Sequence, residues 1–305
     1  MNVIRRMLAL GWLGLATGLA ASEVAYPLSI SDGRAREVVI PARPERVISL
    51  APSCTEIVFA LDAGGQLAGR TRFCDYPEAV KQVPSIGGIV DYNRERMATL
   101  KPDLILVSDL TQPTSLPALM ELGAPVVYLN HPGLDGITKD IALAGKILDQ
   151  TEATERELSR IQNIREEVAA RLQKASPAKR PKVLLTFGLL TTYAPGPNTY
   201  PGHLIREAGG ANVAAGGTDW QQLPLESVLI ANPDVLLVSL DPEAPEARDR
   251  AALLAQYRRH EVWRHLASVK AGRVHAVDAN LLNRPGPRAV SLLPVIADLL
   301  HPVRE

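Results

Sequence analysis

Aromatic side chains are scarce in this chain, at 4% of its 305 residues, and there are only two cysteines. So few cysteines exclude a small scaffold stapled by disulfides. Neither sign of charge is in excess, because 33 Lys and Arg balance 33 Asp and Glu. The basic face that a nucleic acid partner requires is therefore missing. Proline (24) and glycine (22) are scattered without a period, which excludes collagen-like and low-complexity chains. GxSxG, HExxH and P-loop patterns are absent, and no close pair of carboxylates suggests general acid–base work. The six histidines (131, 203, 260, 265, 275 and 301) show no close metal-ligand spacing. Neither an enzymatic activity nor a resident metal or cofactor is expected.

Only one long apolar run is present, at residues 7–19. Arg5 and Arg6 precede it and the small-residue sequence GLA at 18–20 ends it, which is the pattern of a signal peptide over residues 1–20. The run is too short to span a bilayer core of about 30 Å. No cysteine stands at the cleavage point, so a periplasmic location without a lipid anchor is expected.

What remains is long enough for two domains with substantial cores. Residues 46–50, 104–107 and 126–129 read as short apolar strands alternating with helical runs, a rhythm suited to a parallel sheet covered by helices. Ser53 and Glu56 have the spacing of a capping box at the first helix. An N-terminal α/β lobe is expected over 21–150. Residues 151–175 are highly charged, and Leu158, Ile161, Ile164, Val168 and Leu172 fall on one helical stripe. A helix there spans about 36 Å and reads either as a surface helix or as a rigid bridge. The rhythm then resumes over 176–305, with strands at 183–187, 235–240 and 274–277, one charged helix around 246–259 and a final helix at 288–300. ERMATLKPDLILVS at 95–108 lies over ESVLIANPDVLLVS at 226–239 at a constant offset of 131 residues. Each half thus has a glutamate opening a short helix, a Pro-Asp turn and an apolar strand. The fold class expected is α/β, with two similar lobes, each a parallel sheet flanked by helices, joined by one long rigid helix with a ligand cleft between them.

Among individual residues, Cys54 and Cys74 are expected either to form a disulfide, favoured by export and worth about 3 kcal/mol on loop entropy, or to remain two buried thiols or rim groups touching the ligand. Tyr76, Tyr193, Tyr200 and Trp220 sit in loop-like stretches rich in Pro and Gly. Rings held there either pin the loops or grip a large, partly apolar ligand.

Several segments together resemble the periplasmic substrate-binding proteins of the helical-backbone class, which serve ABC importers of cobalamin, haem and ferric siderophores. They are RVISLAPSCTE at 46–56, CDYP at 74–77, the run 93–108, GGAN at 209–212 and RPGPR at 284–288. The Asp-Tyr-Pro turn, Phe187-Gly188, and Trp220 six residues before Glu226 look most like the vitamin B12-binding members. The resemblance implies that Tyr76, Tyr193 and Trp220 line a cleft for cobalamin or a related corrinoid, with Arg284 near its edge. It also implies a monomer whose Glu95 and Glu226 dock on the two subunits of a permease dimer; as bare sequence, each glutamate equally reads as a solvated helix start. The chain departs from the pattern at 84–92, where a corrin-covering tryptophan is absent and Ile86 or Tyr92 is expected in its place. A haem carrier would need an axial Tyr or His, for which His131, His203, Tyr193 and Tyr200 are the candidates.

Overall fold

The computed structural model describes residues 24–175, 179–189, 192–217 and 219–302. The expected signal peptide lies outside them. The described chain opens with a hairpin of β1 (Leu28–Ser31) and β2 (Glu37–Ile40). Its turn is closed by Asp32, whose buried carboxylate accepts the backbone N–H groups of Arg34 and Arg36 and the Arg36 guanidinium.

The first lobe follows as β3 (Val47–Ser49), α1 (Pro52–Ala60), β4 (Leu67–Arg70), α2 (Arg94–Thr99), β5 (Leu104–Val107), α3 (Leu116–Met120), β6 (Val126–Tyr128) and α4 (Gly133–Leu148). After α5 (Thr151–Ala175) come β7 (Lys182–Thr186), β8 (Tyr193–Ala194), α6 (Tyr200–Glu207), β9 (Ala211–Asn212), β10 (Gln221–Gln222), α7 (Leu225–Ala231) and β11 (Val235–Leu240). The second lobe is completed by α8 (Pro245–Arg248), α9 (Arg250–Arg259), α10 (Ala267–Lys270), β12 (Val274–Asp278), α11 (Ala279–Asn283) and α12 (Leu292–Leu300).

Each lobe holds a four-stranded parallel sheet, ordered β4-β3-β5-β6 in the first and β9-β7-β11-β12 in the second. Counted within its own lobe, each sheet has the order 2-1-3-4. The internal repeat is therefore one of topology as well as sequence. It extends to single atoms: Lys101 and Asn232, 131 residues apart, both adopt left-handed backbone with φ of 47° and 44°. Two residues on, the carboxylates of Asp103 and Asp234 accept the backbone N–H groups of Arg46 and Lys182, tying each Pro-Asp turn to the first strand of its sheet.

α5 is the bridge. Its buried Ala153, Ile161 and Val168 belong to one apolar core that also includes Val47, Ile57 and Ile141 of the first lobe and Val183, Leu204 and Ile296 of the second. Its charged residues reach both ways. Arg156 pairs with Asp62, Arg165 with both Asp135 and Glu207, and Arg171 with Asp298.

Four expectations need correction. Pro52 occupies the first turn of α1 and Ala51 is its cap, so Ser53 and Glu56 form no capping box; Glu56 turns instead toward Arg288. The run 246–259 is two helices, because the Asp249 side chain accepts the N–H groups of Ala251 and Ala252 and starts a new one. The final helical stretch begins as a tighter turn over Pro287–Ser291 before α12. The fourth concerns Cys54 and Cys74, which are free thiols and not a disulfide. Cys54 packs into the apolar core, whereas the Cys74 sulfur sits 3.1 Å from both the Thr55 and Thr71 hydroxyls.

Candidate functional site

Parallel α/β sheets place binding loops at the carboxyl ends of their strands, where the strand order switches direction. Here both sheets present those ends to one cavity of about 650 Å³. Its first-lobe wall is made by Ala51–Ser53 after β3, Ser108–Leu110 after β5 and Leu129–Gly133 after β6, with Phe73 and Ile89 added from loops. Phe73 and Leu110 are 45% and 53% exposed. Large apolar side chains left in water on a concave wall are a place for an apolar ligand.

The second-lobe wall is aromatic. β8 and β10 pair as a short antiparallel ladder, with Gln222 opposite Tyr193 and Gln221 opposite Ala194. That pairing brings Trp220 beside Tyr193, ring centroids 5.7 Å apart and planes within 8°. Phe187, just past β7, leans on the pair at 5.5 Å from Trp220 and 6.4 Å from Tyr193.

The polar features of the cleft lie between and around these walls. His131 follows β6, and its ring Nδ1 is 2.6 Å from Oδ1 of Asp140 on α4. The His131 backbone N–H also points at this carboxylate, 3.2 Å from Oδ2. Burial pushes Asp140 up to about 7, against the lowering effect of its His131 bonds. At the rim, Arg284 makes a bidentate pair with Asp75 across the lobes. Its hydrogen bonds hold the Asp75 carboxyl below the usual range despite partial burial.

Of the residues the sequence singled out, Tyr193, Trp220 and Arg284 line the cleft together. Tyr76 does not. It borders a second depression of about 670 Å³ beside α1 and α5, its ring 3.6 Å from the guanidinium carbon of Arg288. Arg288 in turn grips Glu56 through bonds of 2.9 and 2.6 Å. Ile86 is misplaced by the sequence reading: it is fully buried in a first-lobe core with Ile48 and Met97, because Gly69 has no side chain to occupy that space. Tyr92 is half-buried against the same core and is not among the lining residues. Glu95 and Glu226 are exposed in the first turns of α2 and α7. Tyr200 lines the cleft, but its hydroxyl is spent on the Ala289 carbonyl. His203 faces Gly133 and Arg206 and is not part of the lining. Phe73, Ile89 and Leu110 were missed. The signal available for Leu110 was its position just past an apolar strand; for the other two there was only proximity to a Pro-containing turn.

Two lobes of one topology, locked by a helix and facing each other across an aromatic cleft, define a solute-binding receptor. The chain belongs to the periplasmic binding protein family, which matches residues 47–281. It is 26% identical over 284 residues to the ABC transporter substrate-binding lipoprotein YvrC of Bacillus subtilis, covering 91% of this chain and 86% of that one. Identity to a cobalamin-binding protein of Halobacterium salinarum is 28% over 285 residues, covering 90% and 74%. Among solved structures, the periplasmic haem-binding protein BhuT superposes with a TM-score of 0.70 at 29% identity, over 84% of this chain and 98% of BhuT. No described helix is long and apolar enough to cross a membrane.

Proposed function

We propose that this chain binds cobalamin or a closely related corrinoid in the interlobe cleft and hands it to the permease of an ABC importer. The observation that carries this reading is the stacked Tyr193–Trp220 pair with Phe187, set in the same cavity as exposed Phe73 and Leu110. A slot with flat aromatic faces and a polar rim suits a broad macrocycle whose amide edges remain near water. The likeness to the Halobacterium cobalamin-binding protein over 90% of the chain points the same way. Glu95 and Glu226 are proposed as the permease contacts. They are exposed, occupy equivalent positions of a two-fold repeat, and so match a two-fold partner bearing basic residues.

Haem is the second reading, favoured by the likeness to BhuT and by an imidazole in the cleft wall. Isothermal titration of the purified chain with cyanocobalamin, with haemin in parallel, separates the two. One-to-one cyanocobalamin binding in the nanomolar range is expected. A haemin Soret shift with no cyanocobalamin heat would replace the corrinoid with haem.

A further inference from the structure

The His131–Asp140 pair does more than the cleft's shape requires. Asp140 is only 4% exposed; its carboxylate accepts the backbone N–H of His131 and lies 2.6 Å from the His131 ring Nδ1. The backbone around the pair is packed tightly: a Cβ on Gly136, one turn before Asp140, would fall 1.9 Å from the His131 carbonyl oxygen. The imidazole is thus fixed in position and rotation. With the proton on Nδ1, directed to Asp140, the lone pair is on Nε2. The ring is 24% exposed and lines the cavity, and Nε2 has no hydrogen-bond partner among the described residues. A carboxylate behind a histidine in this manner orients the ring and raises its donor strength toward a metal centre. Capping of α4 does not explain the arrangement, since its cap residue is Pro132, with no side-chain bond.

We propose that His131, positioned by Asp140, coordinates the cobalt of a bound corrinoid through Nε2 at an exchangeable axial position. The inference rests on the corrinoid reading above. In aquocobalamin the cobalt–water bond breaks, water leaves, and the Nε2 lone pair forms the new bond. Cobalt stays Co(III), and the Nδ1 proton remains between His131 and Asp140. The consequence is selectivity: the chain should favour corrinoids with a labile axial water over those whose position is held by cyanide.

The test is a titration of aquocobalamin with the full purified chain, followed by visible absorbance, with cyanocobalamin in parallel and His131→Gln as the variant. At saturation the aquocobalamin bands should move to the positions that free imidazole produces, while cyanocobalamin binds with its bands unmoved. His131→Gln should abolish the shift and weaken aquocobalamin binding by about tenfold or more, a larger loss than the same variant causes for cyanocobalamin. One-to-one aquocobalamin binding with an unshifted spectrum would overturn the coordination, as would the same shift in His131→Gln. Cyanocobalamin binding in that case leaves the corrinoid reading standing. If neither corrinoid binds, both the reading and the coordination fall.

Discussion

Replacing Arg288 by Met should destabilise the chain far more than removing an ordinary surface arginine. Glu56 is 4% exposed as a residue, and its two oxygens receive Arg288 Nη2 and Nε at 2.6 and 2.9 Å. The pair joins α1 to the segment before α12 and thus one lobe to the other. Burial alone would lower the Arg288 pKa, and the bonds and charge of Glu56 outweigh it, leaving the guanidinium more firmly charged than usual. Stripping one partner from a buried pair costs about 3–5 kcal/mol, because a charge is left without its counterion. Arg288 is 28% exposed on its side chain, so water can partly replace it, and a cost of about 2–3 kcal/mol is expected. Removing both charges is different in kind. Glu56→Leu with Arg288→Met leaves no orphaned carboxylate, and that double variant should recover to within about 1 kcal/mol of the parent. Urea unfolding at pH 7 followed by circular dichroism measures each corner of the cycle. Loss below about 1 kcal/mol in Arg288→Met, or a double variant no more stable than that single one, would refute the account of a desolvated clasp.

Trp220→Ala removes the inner ring of the aromatic stack and should weaken cyanocobalamin binding about 30-fold, the scale of an interface hot spot, as read by isothermal titration; an unchanged affinity would move the ligand off this wall. Charge reversal at Glu95 or Glu226 should lower corrinoid uptake in cells about tenfold or more while leaving binding to the isolated chain intact, since the loss falls on docking. Iodoacetamide should modify neither cysteine of the native chain. Both are buried, and burial pushes the Cys54 thiol well above its ordinary value, so labelling before unfolding, seen by mass spectrometry, would contradict the packing. His275 is held down to about 4 by burial, with Arg250 and Arg273 adding to the effect. An unfolded histidine takes its proton near 6.5, so this contribution is present above that pH and is lost as pH falls from about 6.5 toward 4. His275→Gln should flatten that part of the stability curve by about 2 kcal/mol.

The frame of the fold was legible because it depends on local signals. Residues 151–175 contain no glycine or proline, so nothing interrupts the stripe Leu158, Ile161, Ile164, Val168, Leu172, and the helix runs its full length. The 131-residue repeat was visible because Pro-Asp turns need particular chemistry, with a left-handed residue before the proline and a carboxylate to receive a strand's first N–H. β4 was not legible. Its sequence LAGR alternates weakly, and it forms an edge strand only because Gly69 lets Ile86 and Leu100 lie against it. The same missing side chain hides Ile86 in the core, so an apolar residue in an irregular stretch was mistaken for a cleft residue. The disulfide expectation failed for a related reason: compartment and spacing favour a bridge, but nothing local reports that two threonine hydroxyls already surround the Cys74 sulfur.

The cleft was half legible, and the division follows chain distance. Tyr193 and Trp220 could be read as a pair of rings in turn-rich loops, yet their stacking depends on the two-residue ladder between β8 and β10. The opposite wall comes from the ends of β3, β5 and β6, which meet only when the sheet forms. Function then follows from how little these walls can move. One apolar core runs unbroken from the first lobe through α5 into the second, and every 100 Å² or so of it exposed by splaying the lobes costs about 2.5 kcal/mol. The pairs Glu56–Arg288 and Asp75–Arg284 add a second tie at the edge. A ligand therefore enters a slot that is largely preformed, with loops rather than lobes adjusting around it. Release cannot draw on a large spontaneous opening. On the function proposed above it would be driven from outside, by a partner that grips both lobes at once, and the proposed contacts Glu95 and Glu226, exposed one on each lobe, suit such a grip.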